Sequence, residues 1–129
     1  MIVLDTHAWL WWVGAPSRLG RAAARAIRVA KGIGIPAVCC LEVAVAAARG
    51  RIALDRPTLD WLHDALALPR VVLLPLSPAV AVKAAELPRS FPGDPADRLI
   101  VATAILESAF LVSRDDRIQG CPGVRTVWG

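Results

Sequence analysis

The strongest constraint on the fold is an alternation of short apolar runs with longer segments of helical spacing. Five runs rich in Ile, Val and Leu are bounded by turn-forming residues, which predicts strands at residues 2–4, 33–35, 71–74, 110–112 and 124–127. Between them, apolar residues recur every three or four positions, which predicts helices at residues 8–13, 18–31, 38–49, 58–68, 79–87 and 95–108. Apolar strands joined by helices predict a central parallel sheet of four or five strands flanked by helices, an α/β sandwich of three layers.

Length and composition predict a single domain over residues 1–129, because 56% of the residues are hydrophobic and 20% are charged. The three cysteines, with Cys39 and Cys40 adjacent and no Cys-x-x-Cys pair, argue against a disulfide scaffold or a thiolate zinc site. No stretch without a charged side chain exceeds twelve residues, which is too short for a membrane helix. Asp5 also stands where a signal peptide carries basic residues, so we expect a cytoplasmic protein with no membrane partner.

The formal net charge of +4 comes mostly from arginine, whose forked guanidinium suits phosphate. A GC-rich coding sequence would enrich arginine as well, so the count alone decides little. A basic stripe is predicted along one helix, with residues spaced three and four apart: Arg18, Arg21, Arg25, Arg28 and Lys31. The stripe has two interpretations, a solvated helix face or a track for RNA or an acidic partner.

Acidic side chains follow the predicted strands, where ligands of parallel sheets bind. Asp5 ends the first strand, Glu42 lies in an otherwise apolar helix after the second, and Asp115 and Asp116 follow the fourth. Asp97 opens the last long helix. Each has a local explanation as a solvated side chain, a helix cap or a turn residue. Their common edge of the sheet favours a site instead, because converging carboxylates require a hard divalent cation such as Mg²⁺ or Mn²⁺.

The chemistry that these acids suggest is attack by metal-activated water. The chain has no nucleophilic Ser elbow, no His-Glu-x-x-His and no phosphate-binding Gly loop. Aspartyl phosphotransferases also place Asp after the first strand, but they require a second Asp two residues later, where this chain has His7. We interpret His7 as a packing residue. Three tryptophans crowd one short helix, so at least one of Trp9, Trp11 and Trp12 is expected to face solvent or a partner.

Four stretches resemble the PIN-domain ribonucleases, specifically the VapC-like toxins of toxin–antitoxin systems. They are the Asp-Thr-His opening of residues 5–11, residues 41–44, the Gly-Asp-Pro-Ala-Asp-Arg stretch of residues 93–102, and residues 111–115. The resemblance covers nearly the whole chain in order. One departure is visible: Ser or Thr often precedes the glutamate in this family, whereas this chain has Cys39 and Cys40.

The resemblance implies an acidic quartet around the metal, made of Asp5, Glu42, Asp97 and Asp115. It implies Thr6 and Ser113 as supporting hydroxyls. Asp94, which precedes Pro95 at the start of the last long helix, is interpreted as the N-cap of that helix. Asp115 is preferred to Asp116 because the fourth acid of the family stands two residues after a Ser or Thr, here Ser113. Arg98 and Arg114 each adjoin a proposed site acid and are predicted to bind substrate phosphate.

The resemblance further implies a Mg²⁺-dependent endoribonuclease that cleaves single-stranded RNA to leave a 5′-phosphate and a 3′-hydroxyl. It implies a cognate antitoxin and a homodimer as partners. The alternative function is a PIN-like module that binds RNA or protein without turnover. Loss of one acid would be its expected sign, and all four acids are present.

Overall fold

The computed structural model describes residues 1–91 and 93–129, and over these residues the chain forms five strands and seven α-helices. The strands are β1 (Ile2–Leu4), β2 (Ile33–Pro36), β3 (Val71–Leu74), β4 (Phe110–Val112) and β5 (Thr126–Val127). The helices are α1 (Thr6–Gly14), α2 (Arg21–Val29), α3 (Ala37–Ala48), α4 (Thr58–Leu66), α5 (Pro78–Glu86), α6 (Pro95–Leu106) and α7 (Asp116–Gln119).

The strands form one parallel sheet in the order β3-β2-β1-β4-β5. The first strand is central: Ile2 pairs with Ile33 of β2 on one side and with Phe110 of β4 on the other. Side chains on both faces of the inner strands are buried, as expected for a parallel sheet between helical layers. This confirms the predicted α/β sandwich and its parallel sheet.

The core joins the sheet to helices on both of its faces. Trp9 of α1 is fully buried and meets Trp61 of α4 edge to face, with ring centroids 5.3 Å apart. Helix α6 is the most deeply buried helix, with Ile100, Val101 and Ala102 almost inaccessible to solvent. The N-terminal turns of α1, α3, α6 and α7 therefore sit at fixed positions around the carboxyl edge of the sheet.

The second helix is shorter than predicted, and the structure gives a physical reason. Residues 16–18 form a separate 3-10 turn, and the backbone of Gly20 passes so close to Trp128 that a Cβ would lie 2.2 Å from the Trp128 carbonyl oxygen. That carbonyl instead accepts a hydrogen bond of 2.9 Å from the Ala23 N–H in the first turn of α2. The C-terminal segment thus decides where α2 begins.

The prediction of one continuous basic stripe is therefore wrong. Arg21, Arg25 and Arg28 lie on the exposed face of α2. Arg18 belongs to the preceding 3-10 turn, where its guanidinium lies over the Trp11 ring, and Lys31 follows the end of the helix.

Several other boundaries differ from the predictions, each by one or two residues. Strand β5 covers only Thr126–Val127, and the four-residue helix α7 follows β4 directly where only turn residues were expected. None of the helices described is long and apolar enough to cross a bilayer.

Candidate active site

A cavity of about 830 Å³ opens at the carboxyl edge of the sheet, and acidic side chains from four elements line it. They are Asp5, Glu42, Asp94, Asp97 and Asp115. Its other walls are apolar, from Leu10, Leu41, Val45 and Ile52, and basic, from Arg49, Arg51, Arg114 and Arg117. The volume lies in the range that encloses a ligand of nucleotide size.

Asp5 lies at the junction of β1 and α1, and its side chain is 7% exposed. Its carboxylate caps α1, since Oδ1 accepts a hydrogen bond of 2.9 Å from the Ala8 N–H. Burial raises the pKa of Asp5, the Ser113 hydroxyl and the Ala8 N–H oppose that rise, and the charge of Asp115 adds to it. Burial therefore disfavours the ionised form of Asp5, and a nearby cation would offset this free-energy cost.

Glu42 projects from α3 toward the same cavity and is held by a hydroxyl from α1. Thr6 Oγ1 donates a hydrogen bond of 2.5 Å to Glu42 Oε1. The neighbouring Cys39 is fully buried, which raises the pKa of its thiol and keeps it protonated. The hydrogen-bond donor to Glu42 is therefore a hydroxyl from α1. It takes the place of the Ser or Thr that often precedes the glutamate in related sequences, where this chain has Cys39 and Cys40.

Asp94 and Asp97 form the start of α6 as the sequence predicts. Asp94 is the N-cap and accepts a hydrogen bond of 2.9 Å from the Asp97 N–H, while Asp97 occupies the first turn. The pKa of Asp97 is raised to about 6, first by burial and then by the charges of Asp94, Asp115 and Glu42, against the opposing effect of Arg117. Mutual repulsion thus links acids that are distant in sequence.

Asp115 is the N-cap of α7, and Asp116 is the first residue of that helix. Ser113 is fully buried, and its Oγ accepts a hydrogen bond of 3.1 Å from the Asp115 N–H. Asp115 lines the cavity, whereas the exposed Asp116 is not among the lining residues. This placement favours Asp115 over Asp116 as the fourth acid.

Arg117, which the sequence did not single out, lies between two of the predicted acids. Its Nε and Nη2 donate hydrogen bonds to both oxygens of Asp115, at 3.2 and 2.9 Å, and Nη2 lies 3.4 Å from Asp97 Oδ2. The ion pair lowers the pKa of Asp115. One feature of the sequence could have indicated this contact. Arg117 lies two residues after the N-cap Asp115, and from there a long side chain can fold back onto the aspartate.

Arg98 is not at the cavity, so its predicted contact with substrate phosphate does not fit its position. Its guanidinium donates hydrogen bonds to the carbonyl oxygens of Ala84 at 3.2 Å, Leu87 at 2.7 Å and Phe91 at 3.3 Å. These contacts fasten the end of α5, and the segment after it, to α6. Arg98 is therefore a structural residue.

Arg114 does line the cavity, and its guanidinium carbon lies 6.0 Å from the centre of the Trp11 ring. Trp11 is half-buried in the cavity wall and packs against His7 and Trp128 at centroid distances of 5.5 and 5.6 Å. Arg18 approaches the same ring at 4.8 Å. Trp11 and Arg114 together form a basic, aromatic rim beside the acids.

The donor set of the cavity suits a hard divalent cation, because four carboxylates supply oxygen ligands and the buried Asp5 has no ion-pair partner among the described residues. Over residues 1–91 and 93–129, no three acidic, histidine or cysteine side chains are grouped closely enough to bind one metal ion together. The acids share a cavity with Arg117 between two of them, and they are not a preformed cage.

Three comparisons with known proteins agree with this architecture. The model of the PIN domain family matches residues 2–122. Ribonuclease VapC22 of Mycobacterium tuberculosis is 43% identical over 129 residues, covering 98% of each chain.

Solved structures with the same fold come from toxin–antitoxin complexes. VapBC2 from Rickettsia felis, bound to a DNA fragment from its promoter, matches with a TM-score of 0.75 at 17% identity and covers 100% of both chains. A toxin–antitoxin complex from Klebsiella pneumoniae matches with a TM-score of 0.69 at 21% identity, covering 96% of this chain and 95% of that one.

Proposed function

The chain belongs to the PIN-domain family, and we propose that it is a divalent-metal-dependent endoribonuclease, the toxin of a toxin–antitoxin pair. The observation that carries this proposal is the cavity, into which four predicted site acids project from separate elements. The family match over residues 2–122 supports one PIN-like domain across residues 1–129.

We assign the metal to Asp5, Glu42, Asp97 and Asp115, with Mg²⁺ as the preferred ion and Mn²⁺ as a substitute. These acids would hold a divalent cation, which would supply activation of water and neutralisation of charge on the attacked phosphate. Burial of Asp5 and repulsion among Asp97, Asp115 and Glu42 support this assignment, because both costs fall when a cation is bound.

The remaining polar residues position these acids. Thr6 fixes one oxygen of Glu42, and the buried Ser113 orients the turn that carries Asp115. The N-terminal turn of α6 presents Asp97 while Asp94 caps that helix. Each acid is therefore held by the backbone of a different element, which fixes its direction at little entropic cost on binding.

We propose single-stranded RNA as the substrate. Arg114 and Trp11 lie at the cavity rim, where a guanidinium can pair with a phosphate and the ring can hold that guanidinium in place. Arg49 and Arg51, which follow α3, also line the cavity and add positive charge to it. A chain of phosphates can thus cross the cavity with one of them over the acids.

A cognate antitoxin and a second copy of this chain are the proposed protein partners. The similar solved structures are VapBC and other toxin–antitoxin complexes, which supports an antitoxin. Leu41 on the cavity wall is 62% exposed, an apolar contact that a partner would cover. Light scattering of the purified chain measures whether it is a dimer.

Incubation of purified protein with structured and unstructured RNAs tests the activity. We expect cleavage with Mg²⁺, and no cleavage after chelation or in the Asp5→Asn variant. The asparagine side chain still has an oxygen that can cap α1, so the helix is retained. Cleavage that survives both controls contradicts the metal mechanism. RNA that is bound but uncut under all conditions supports the binding module instead.

A further inference from the structure

Arg117 occupies the space between Asp97 and Asp115, and this position has consequences for both metal and substrate. The guanidinium is bonded to the two oxygens of Asp115 and reaches one oxygen of Asp97, joining the N-terminus of α6 to that of α7. The Asp97 and Asp115 side chains are 15% and 27% exposed, whereas Arg117 is 52% exposed. A solvent-accessible cation is thus paired with two largely shielded carboxylates.

A guanidinium fork and a small divalent ion compete for the same carboxylates. Asp115 has both oxygens engaged by Arg117, and the ion pair offsets the repulsion between Asp115 and Asp97. A doubly charged ion at this place relieves that repulsion more strongly, because the interaction energy scales with charge. The two cations also repel each other, so binding of the metal weakens the attraction of these acids for Arg117.

The displaced guanidinium stays at the mouth of the cavity. Arg117 is the second residue of α7 and its side chain is half exposed, so a released guanidinium can turn toward solvent while its backbone stays in the helix. A guanidinium binds two phosphate oxygens in the same way as it binds two carboxylate oxygens. The phosphate of an RNA bound at the cavity can therefore replace Asp115 as the partner of Arg117.

We propose that Arg117 is an internal counter-cation of the metal-free site, and that the metal releases it to bind the RNA phosphate next to the attacked one. The proposal rests on the proposed function, because it takes the same acids as the metal site. It assigns Arg117 to substrate binding, a role for which the sequence pointed to Arg98.

The metal half is tested by calorimetric titration of Mn²⁺ into RNA-free protein. Arg117→Gln removes the competing charge, and we expect it to bind Mn²⁺ about two- to fivefold more tightly than the wild type, as suits ion pairs of this exposure. Arg56→Gln is the matched control, because Arg56 also bridges two aspartates, Asp55 and Asp64, but does so outside the cavity. We expect Mn²⁺ affinity to be unchanged in that variant.

The substrate half is tested by cleavage kinetics at saturating metal. We expect Arg117→Gln to raise KM severalfold with little change in kcat, and Arg117→Lys to restore part of the loss. Loss of one phosphate contact also lowers the salt dependence of RNA binding by about 0.7 in the slope of log K against log salt. A purely structural role for Arg117 would not change that slope.

The outcomes separate this inference from the proposed function. Equal Mn²⁺ affinity in the wild type and Arg117→Gln overturns the counter-cation role and leaves the metal site standing. Absence of Mn²⁺ binding in both proteins overturns the metal site itself. Tighter Mn²⁺ binding with an unchanged KM and salt slope overturns the phosphate contact.

Discussion

Thr6 and Glu42 are joined by a hydrogen bond of 2.5 Å between side chains that are 36 residues apart. Thr6 opens α1 directly after β1, and Glu42 lies in the second turn of α3 after β2, so the bond spans two neighbouring strand ends. This hydrogen bond orients the Glu42 carboxylate relative to the end of the central strand.

Replacing Thr6 with Val removes this hydroxyl and keeps the shape of the side chain. We expect Mn²⁺ affinity to fall about tenfold, the size typical for losing a group that orients a metal ligand, while the unfolding free energy changes by about 1 kcal/mol or less. Calorimetry and urea unfolding measure the two quantities. Thr6→Ser retains the donor and is the control. Equal loss of affinity in Thr6→Ser and Thr6→Val would contradict the role of the hydroxyl.

Asp97 predicts a pH dependence of the metal-free protein. Its pKa is raised from 3.8 to about 6 on folding, so between these values the folded state binds more protons than the unfolded state and stability falls as pH rises. In chelator, we expect the wild type to lose on the order of 1 to 2 kcal/mol across this window and Asp97→Asn to lose less. Mg²⁺ at pH 7 should stabilise the wild type but not the variant. A variant whose stability follows the wild-type pH profile would disprove this explanation.

Arg98 and Arg114 are predicted to give opposite results when each is replaced by Met. Arg98→Met leaves three carbonyl groups without their donor, so we expect the unfolding free energy to fall by about 2 to 4 kcal/mol with KM for RNA unchanged in the folded protein. Arg114→Met should raise KM with little change in stability, because the side chain is exposed at the cavity. Denaturant unfolding and cleavage kinetics on both variants test the pair, and a rise in KM for Arg98→Met alone would reverse these roles.

Trp11 is expected to act on substrate binding through the guanidinium that lies over it. Trp11→Leu should raise KM about two- to fivefold, which matches the loss of a cation–π contact, and Trp11→Phe should retain most of the affinity. Trp12→Leu makes the same change at the adjacent residue, which packs on the core and does not line the cavity. That control should lower the melting temperature with KM unchanged. Similar KM values for Trp11→Leu and the wild type would exclude Trp11 from binding.

The sequence predicted the elements whose signals are local. Strands at residues 2–4, 71–74 and 110–112 have the predicted bounds, since each is a short apolar run between turn residues. The start of α6 was equally clear, because Asp94 and Pro95 form a recognisable cap. Gly20 shows where such reasoning stops, since α2 begins where a carbonyl from the far end of the chain approaches.

The site divides in the same way. Asp5, Glu42, Asp97 and Asp115 could be selected because strand ends and a family resemblance mark them, and the structure places all four on one cavity. Arg98 was assigned to the site, and Arg117 was not singled out, because adjacency in sequence says nothing about where a long side chain points. The carbonyl groups that hold Arg98 become neighbours only when α5 packs on α6, and the helix that carries Arg117 is too short to show a periodicity.

The central position of β1 also bears on folding. This strand pairs with β4, and the paired residues Ile2 and Phe110 are separated by more than a hundred residues of chain. Pairing between such distant segments has to close a long loop, which makes it slow. Asp5 and Asp115 therefore come to the same edge of the sheet only when this long-range pairing has formed.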